Sequence, residues 1–357
     1  MQQTIPAALI LENGVVMRGF SFGYEQSGAG EVVFNTTMIG YPEILTDPSC
    51  AGQILVATFP LVGNYGVPND KLINGISASY ESDHIQVSGL IMCDYSFDYS
   101  HWNAGKSLQE WLRECKIPAV YGIDTRELTK MLRDKGSLLG KIVIGEKDVP
   151  FYNPNEENQA AKVGCKEIMY YGDGEKKIVL VDCGLKYTML RCLLKRNVQV
   201  IRVPWDYDFS QLTYDGLFIS NGPGNPDFCG IAVEHIRRAL NEDRPIFGVG
   251  MGNQLLAKAG GAKIFKLKYG HRSHNQPVRM LGTNKCFITS QNHGYSVDVA
   301  TLGKDWEPLF ENMNDGTNEG IRHKTKPFFS AQFHPAISDR PTDTELLFDD
   351  FLNLMNT

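Results

Sequence analysis

The sequence lacks the features that mark nucleic-acid binders, membrane-spanning proteins and secreted proteins. Its 41 acidic residues outnumber its 35 Lys and Arg residues, so the net charge is −6, whereas a binder of nucleic acid or anionic membranes shows a basic face. No apolar run approaches the roughly 20 residues of a membrane span. The first residues, "MQQTIPAALILENG", have neither a basic n-region nor a small-residue cleavage site. They predict a strand and an Asn-Gly turn, not a signal peptide.

Cysteine pairs with metal-binding or redox spacing are also missing, because no C-x-x-C motif occurs among the eight cysteines. In a chain of 357 residues without a secretory signal, this scatter predicts reduced, mostly buried thiols and a cytoplasmic or similarly reducing compartment. The spacing offers no structural zinc site, and we predict no metal in this chain. The cysteines are Cys50, Cys93, Cys115, Cys165, Cys183, Cys192, Cys229 and Cys286.

The patterning of the chain predicts an α/β protein with two domains. Residues 1–150 contain short β-rich runs and two helical segments, 107–115 and 125–136, which indicates a mixed α+β domain. The polar segment 151–176 is interpreted as a linker region. In residues 177–357 short buried strands alternate with amphipathic helices, a pattern typical of a largely parallel sheet. Ligands of such sheets bind beyond the carboxyl ends of the strands.

One glycine-rich stretch at such a strand end is "PIFGVGMGNQLL", residues 245–256. A dinucleotide-binding turn needs G-x-G-x-x-G and a later acidic residue, and a P-loop needs Gly-Lys-Ser/Thr, so neither fits. A nucleophile elbow fits better, because small residues permit the strained turn that projects a reactive side chain above the sheet. The apex of that turn falls on Gly250, which has no side chain.

Longer motifs resemble a known family over nearly the whole chain. The sequence is similar to the small subunit of carbamoyl-phosphate synthetase, a class I glutamine amidotransferase, or to the equivalent N-terminal region of fused eukaryotic enzymes. Asn253 and the strings "DYSFDYSHW" and "VPWDYDF" resemble the ammonia-using branch of that family. The motifs shared with the whole family are "GEVVFNTTMIGYPEILTDPS", "PLVGNYGVP", "GIDTRELTKMLRDKGSLLGKI", "VDCGLKYTMLR", "SNGPGNP", "HNQPV", "SQNHGY", "NEGI" and "QFHP".

The resemblance implies a Cys-His-Glu site in which the cysteine attacks the glutamine amide, the histidine acts as base and acid, and the glutamate orients it. The family's base corresponds to His334. Its nucleophile position is Gly250 and its orienting carboxylate position is Ala336, so two of the three groups are missing. The positions implied to bind glutamine or the oxyanion are Ser49, Gly222, Gly224, Met251, Gln254, Asn292, Gly294 and Tyr295.

The partner implied by the resemblance is a large ATP-using subunit, which would hold ATP and Mg and receive the ammonia. We predict no cofactor in this chain and neither a nucleic-acid nor a membrane partner. The family serves pyrimidine or arginine biosynthesis, and the sequence does not choose between them. It also does not distinguish natural loss of the two catalytic groups from an engineered change.

Three functions remain open at this stage. Loss of a triad nucleophile lowers the rate about 10⁶-fold in a serine protease, which raises the activation barrier by about 8 kcal/mol. The chain is therefore first interpreted as a small subunit without effective glutaminase activity that supports the use of ammonia. A residual glutaminase could use another thiol, with Cys229 and Cys286 considered, or a water activated by His334. A third interpretation is a module that binds glutamine without cleaving it.

Several residues also have ordinary structural interpretations. His334 alone would be a partly buried histidine. His293 either lines the same cleft or holds a loop, and Lys186 is interpreted as structural or part of an interface. The run 343–352 has helical periodicity and predicts a docked C-terminal helix.

Overall fold

The structure, a computed structural model, describes residues 5–338 and 342–356 and divides into two compact units, Met1–Glu156 and Glu157–Thr357. Parts of the predicted N-terminal strand (residues 1–4) and of the predicted 177–357 domain (residues 339–341 and 357) lie outside the described residues. In the described part of the chain, no helix is both long and apolar enough to cross a bilayer.

The first unit is built on a closed β-barrel with strand order β1-β13-β3-β4-β9-β12-β2. The other strands of this unit form two-stranded sheets outside the barrel. The strands of the unit are β1 Ile5–Leu11, β2 Val16–Ser21, β3 Gly28–Asn35, β4 Gln53–Ala57, β5 Leu61–Val62, β6 Val67–Pro68, β7 Leu72–Ile73, β8 Ile76–Ser77, β9 Gly89–Ile91, β10 Asp94–Tyr95, β11 Ala104–Lys106, β12 Ala119–Tyr121 and β13 Leu138–Ile144. Its helices are α1 Tyr41–Leu45, α2 Leu108–Glu114 and α3 Thr125–Lys135.

Local sequence explains where the helices of this unit begin and end. Ser107 and Glu110 form a capping box at the start of α2, since each side chain accepts a hydrogen bond from the other residue's backbone N–H. Helix α3 starts after Asp124, whose carboxylate accepts from the Glu127 N–H, and ends at Gly136. Both helices lie where the sequence predicts them. The barrel itself was not predicted, because closure depends on which distant strands pair.

The second unit contains one ten-stranded sheet, ordered β14-β16-β15-β17-β18-β23-β22-β21-β19-β20. Its strands are β14 Met169–Tyr171, β15 Lys177–Asp182, β16 Gln199–Pro204, β17 Gly216–Ile219, β18 Ile246–Val249, β19 Ile264–Met280, β20 Cys286–Val297, β21 Trp306–Asn312, β22 Asn318–His323 and β23 Phe328–Ala331. Its helices are α4 Gln159–Val163, α5 Tyr187–Leu194, α6 Gly230–Ala239, α7 Met251–Ala259 and α8 Leu346–Leu354.

Parallel pairing joins β16, β15, β17, β18 and β23, and antiparallel pairing joins the remaining strands to them. The parallel strands are buried almost throughout, as expected for strands covered on both faces. The α/β fold class is therefore confirmed, and strands alternate with helices from β15 to α7, whereas β19 to β23 follow one another without an intervening α-helix and pair antiparallel among themselves. The segment 151–176, predicted as a linker region, holds the short helix α4 and strand β14, which pairs with β16.

Candidate functional site

The turn after β18 has the geometry of a nucleophile elbow. Strand β18 ends at Val249, helix α7 begins at Met251, and Gly250 between them has φ +57° and ψ −111°. The Gly250 N–H donates to the carbonyl of Ala331 at 2.9 Å, which fixes the turn against the neighbouring strand β23. A residue with a side chain would be strained at this φ, and a Cβ would lie 3.2 Å from the Cβ of Asn221. The elbow is therefore formed, but it presents only hydrogen atoms.

The ends of the strands beside β18 carry the other residues that the sequence singled out. Lys186 follows β15, Gly222 and Gly224 follow β17, and His334 follows β23. The Gly252 N–H donates to the Ser220 carbonyl at 3.0 Å and so ties α7 to the end of β17. Since parallel strands end at one edge of a sheet, these residues lie at the same edge as Gly250.

His334 is buried and held by contacts on two sides. Its backbone N–H donates to the Ser290 carbonyl at 2.9 Å, and its ring nitrogen Nδ1 lies 3.4 Å from the Nζ of buried Lys186. The Lys186 N–H donates to the side-chain oxygen of Asn221 at 3.1 Å. A lysine ammonium can only donate a hydrogen bond, so a hydrogen bond across this distance requires Nδ1 of His334 to be the acceptor.

Gln254 links the elbow helix to the long hairpin of β19 and β20. Its amide nitrogen donates to the Tyr295 carbonyl at 3.3 Å and to the side-chain oxygen of Gln332 at 3.2 Å. Asn253 donates to that same Gln332 oxygen at 2.7 Å. The Oε1 of Gln254 is buried without a hydrogen-bond partner. Such an acceptor costs about 1–3 kcal/mol, which a ligand that donates to it would offset.

The other positions implied by the resemblance lie in both units of the chain. Met251 is the first residue of α7 and is buried, as is Ala336. Asn292 and Gly294 lie half-buried in β20. Ser49 lies in the first unit, in the turn Pro48–Cys50. The structure thus brings the residues of the second unit to one end of its sheet, namely Gly222, Gly224, Gly250, Met251, Gln254, Tyr295 and His334.

None of the eight cysteines, all within the described residues, is in a disulfide, and four of them are buried, fewer than predicted. Burial raises the pKa of Cys229 to about 12 and holds the pKa of Cys183 well above its ordinary value. Both are therefore thiols at neutral pH and poor nucleophiles. Cys286 is exposed at the start of β20, roughly 20 Å along the strand from Asn292.

A buried cluster that the sequence did not predict lies in the antiparallel part of the sheet. His271 on β19 pairs in register with His293 on β20, and Glu319 on β22 approaches both. The Nδ1 of His271 lies 3.0 Å from Oε1 of Glu319, and its Nε2 lies 2.9 Å from Oδ2 of Asp315. Nothing in the spacing of these residues along the chain reveals the cluster. It depends on strand pairing.

The charges in this cluster perturb one another. Burial alone would lower the pKa of His271, but the carboxylates of Asp315 and Glu319 outweigh burial and raise the pKa to about 9. Burial dominates at His293 and lowers its pKa. Burial would raise the pKa of Glu319, but His293 and His271 lower it. His271 therefore carries a proton between two carboxylates at neutral pH.

Comparison with known proteins assigns both halves of the chain. Residues 9–142 match the family "Carbamoyl-phosphate synthase small chain, CPSase domain", and residues 179–354 match "Glutamine amidotransferase class-I".

Over its length the chain is 49% identical to human mitochondrial carbamoyl-phosphate synthase [ammonia], covering 98% of this chain and 24% of that protein. It is 49% identical to multifunctional protein pyr-3 of Neurospora crassa, covering 96% of this chain and 21% of that protein. Multifunctional protein CAD of Squalus acanthias is 48% identical, covering 97% of this chain and 16% of that protein.

The chain spans about a quarter or less of the length of these relatives. The elbow after β18, the glycine turn after β17 and the histidine after β23 lie inside the amidotransferase match. The chain therefore belongs to the carbamoyl-phosphate synthase small-chain family, with a class I glutamine amidotransferase domain as its second part.

Proposed function

We propose that this chain is the small-chain part of a carbamoyl-phosphate synthase that cannot use glutamine efficiently and depends on free ammonia. The observation that carries the proposal is Gly250, which occupies the apex of a fully formed elbow without a nucleophilic side chain. By analogy with a serine protease, loss of the nucleophile lowers the rate of glutamine hydrolysis by about 10⁶-fold.

The surroundings of His334 support the same conclusion. A base that activates a thiol needs a free lone pair on the nitrogen facing the thiol and a proton on the other nitrogen, held by a carboxylate. The 3.4 Å contact between Lys186 Nζ and Nδ1 supports a tautomer in which Nδ1 accepts and the proton of a neutral ring lies on Nε2. At the position where the family has a carboxylate, the chain has Ala336. On this proposal His334 does not act as a base through Nε2.

The proposed role is then structural, with the two units supporting a large ATP-using partner. The three relatives are each at least four times longer than the region they share with this chain, which supports a partner that carries the remaining functions. One of them is named as an ammonia-dependent synthase. ATP and Mg would be bound by the partner. Cytoplasmic localisation and the choice of pathway stay predictions, since the relatives include a protein named as mitochondrial.

The test is carbamoyl-phosphate synthesis by this chain together with its ATP-using partner, with ammonium and glutamine compared as nitrogen donors. We expect full activity with ammonium and less than about 0.1% of that rate with glutamine, given the size of nucleophile effects. Glutamate release by the purified chain is measured in parallel. Rates with glutamine that match those with ammonium would contradict the proposal.

A second candidate function, glutamine binding without hydrolysis, is favoured by the unpartnered Oε1 of Gln254. Calorimetry with millimolar glutamine tests it. We expect binding by the unchanged chain and its loss in Gln254→Leu. The matched control Gln211→Leu changes an exposed glutamine and should leave binding intact. No heat of binding to the unchanged chain would exclude this function.

A further inference from the structure

The buried cluster on β19, β20 and β22 has the donors and the supporting contacts of a metal site. We propose that His271, His293 and Glu319 bind a structural Zn²⁺ ion, with the amide oxygen of Gln291 as the fourth ligand. The site is separate from the elbow and is not implied by the amidotransferase reaction.

Four distances among the donor atoms are close to those around one tetrahedral ion. The Nδ1 of His271 lies 2.9 Å from Oε1 of Gln291 and 3.0 Å from Oε1 of Glu319. The Nε2 of His293 lies 3.1 Å from the same Gln291 atom and 3.7 Å from the same Glu319 atom. Tetrahedral zinc with bonds of about 2.0–2.1 Å separates its ligand atoms by roughly 3.3 Å. These four distances lie on either side of that value, and the ligand atoms of His271, His293 and Glu319 all lie within 4.8 Å of one another.

Each donor is oriented by an outer contact of the kind that metal ligands have. The other ring nitrogen of His271 lies 2.9 Å from the carboxylate of Asp315, and that of His293 lies 2.9 Å from the Tyr295 carbonyl. A carboxylate or backbone carbonyl behind a histidine fixes the tautomer in which the inner nitrogen can bind metal. The Gln291 amide nitrogen donates to Thr289 at 3.0 Å, which turns its oxygen toward the histidines.

Glu319 supplies an independent indication. The residue is fully buried, and its second oxygen, Oε2, has no hydrogen-bond partner. The Asn312 amide donates to Oε1 at 3.1 Å and also lies 3.3 Å from Nδ1 of His271. Because Oε1 already accepts from Asn312, a rotation of the carboxylate that turns Oε2 toward the histidines would give the orphaned acceptor a cation as its partner.

Charge and access also favour a divalent ion. Two carboxylates, Asp315 and Glu319, face His271, so an ion of charge +2 balances them, whereas one proton on His271 leaves an excess negative charge. Uncompensated buried charge is costly. The side chain of Asp315, 41% exposed, is the member of the cluster that reaches solvent. Two imidazoles, a carboxylate and an amide oxygen form a donor set suited to zinc.

A bound ion would join three strands close to the candidate glutamine site. His293 lies between Asn292 and Gly294, and the Tyr295 carbonyl behind it also accepts the hydrogen bond from Gln254. The ion would thus hold β20 in the register that places these residues. This is a structural role with no part in the chemistry.

The experiment loads the full chain with Zn²⁺, removes excess ion by dialysis and measures retained zinc by elemental analysis. Cobalt substitution then reports geometry through visible absorption. We expect one equivalent of zinc, a tetrahedral cobalt spectrum, at least a tenfold loss of affinity in His271→Asn, and a 10–100-fold loss in Asp315→Asn, which removes an outer contact only. His84→Asn, at an exposed histidine, is the matched control and should bind as the unchanged chain does.

A variant that gains zinc affinity distinguishes the loss of a ligand from misfolding, because a misfolded chain would not bind zinc more tightly. Gln291→Glu replaces the weak amide ligand by a carboxylate and is expected to tighten zinc binding at least tenfold. Absence of retained zinc in the unchanged chain, or equal retention in His271→Asn, would overturn the proposal and leave a protonated hydrogen-bond network as the explanation of the cluster.

Discussion

The Nζ of Lys186 lies 3.4 Å from Nδ1 of His334, and both side chains are buried at the carboxyl ends of their strands. In the described residues this contact is with an ammonium, whereas the proposed Cys-His-Glu arrangement needs a carboxylate at the histidine. On the proposed function, we expect that restoring a nucleophile alone does not restore catalysis, because a hydrogen bond from Lys186 to Nδ1 would leave the ring proton on Nε2.

The first prediction concerns recovery of glutaminase activity. Gly250→Cys alone should release little glutamate, since a misplaced histidine tautomer costs about 10⁴ in kcat in a serine protease. The double variant Gly250→Cys/Ala336→Glu supplies a carboxylate that can accept from Nδ1 and bind the Lys186 ammonium. It should exceed the single variant by about 10²-fold or more in glutamate release. Ala336→Glu alone is the control and should be inactive. Equal activity of the single and double variants would show that the tautomer is not limiting.

The second prediction concerns strain at the elbow. Gly250→Ala places a Cβ at φ +57° and 3.2 Å from the Cβ of Asn221, so we expect a loss of about 1–3 kcal/mol in the free energy of unfolding. Gly282→Ala is the matched control, because Gly282 has φ +77° but no atom within 4 Å of an added Cβ. Gly282→Ala should cost about 1–2 kcal/mol from the backbone alone, without the steric contribution present at position 250. Urea unfolding measures both. A smaller effect at position 250 than at 282 would contradict the steric argument.

The third prediction concerns the polar network behind the elbow. Asn253 donates to Gln332 at 2.7 Å and accepts from the Ser330 hydroxyl at 2.7 Å, and all three side chains are buried. Asn253→Ala removes one hydrogen-bond partner from the buried side chain of Gln332 and one from that of Ser330. We expect each loss to lower the free energy of unfolding by about 1–3 kcal/mol. Thermal unfolding should show a clear drop in Tm, while Asn241→Ala, at an exposed site, should change Tm little. Similar Tm values for the two variants would argue against the network.

The fourth prediction concerns the buried ion pair at the end of β15. Arg202 contacts the Asp182 carboxylate at 2.6 Å, and Asp182 also accepts from the N–H groups of Cys165, Gly184 and Leu185. Burial would raise the pKa of Asp182, but Arg202 and these N–H groups lower it. Arg202→Met should cost about 3–5 kcal/mol at neutral pH, because the carboxylate stays buried without its partner.

The pH dependence of that difference has a definite sign. Because the folded pKa of Asp182 lies below its ordinary value of about 3.9, the contribution is present above that value and is lost as pH falls through the folded pKa. Urea unfolding of Arg202→Met and the unchanged chain should therefore converge toward acidic pH. Arg322→Met, whose partner Glu307 is partly exposed, is the control and should cost about 0–1 kcal/mol. A difference for Arg202→Met that persists unchanged in acid would contradict the ion-pair explanation.

The sequence alone determined most of the amidotransferase half. Short buried strands and amphipathic helices have distinct periods, and the alternation predicted from residue 177 onward is present in β15 to β18 and α5 to α7. Because parallel strands end together, the segments after them were expected to meet, and the residues around Gly250 and His334 do lie at one edge of the sheet. The absence of a nucleophile at position 250 also follows from the sequence alone, because a glycine has no side chain in any fold.

Tertiary structure alone decided the features that depend on distant pairing. The first unit closes into a barrel because β13 pairs with both β1 and β3, which are more than 100 residues away along the chain. His271, His293 and Glu319 meet only through the register of three antiparallel strands. The contact of Lys186 with His334 joins positions 148 residues apart. Local sequence encodes helix, strand and turn, whereas side-chain contacts across a sheet follow from strand order and register, which no local pattern specifies.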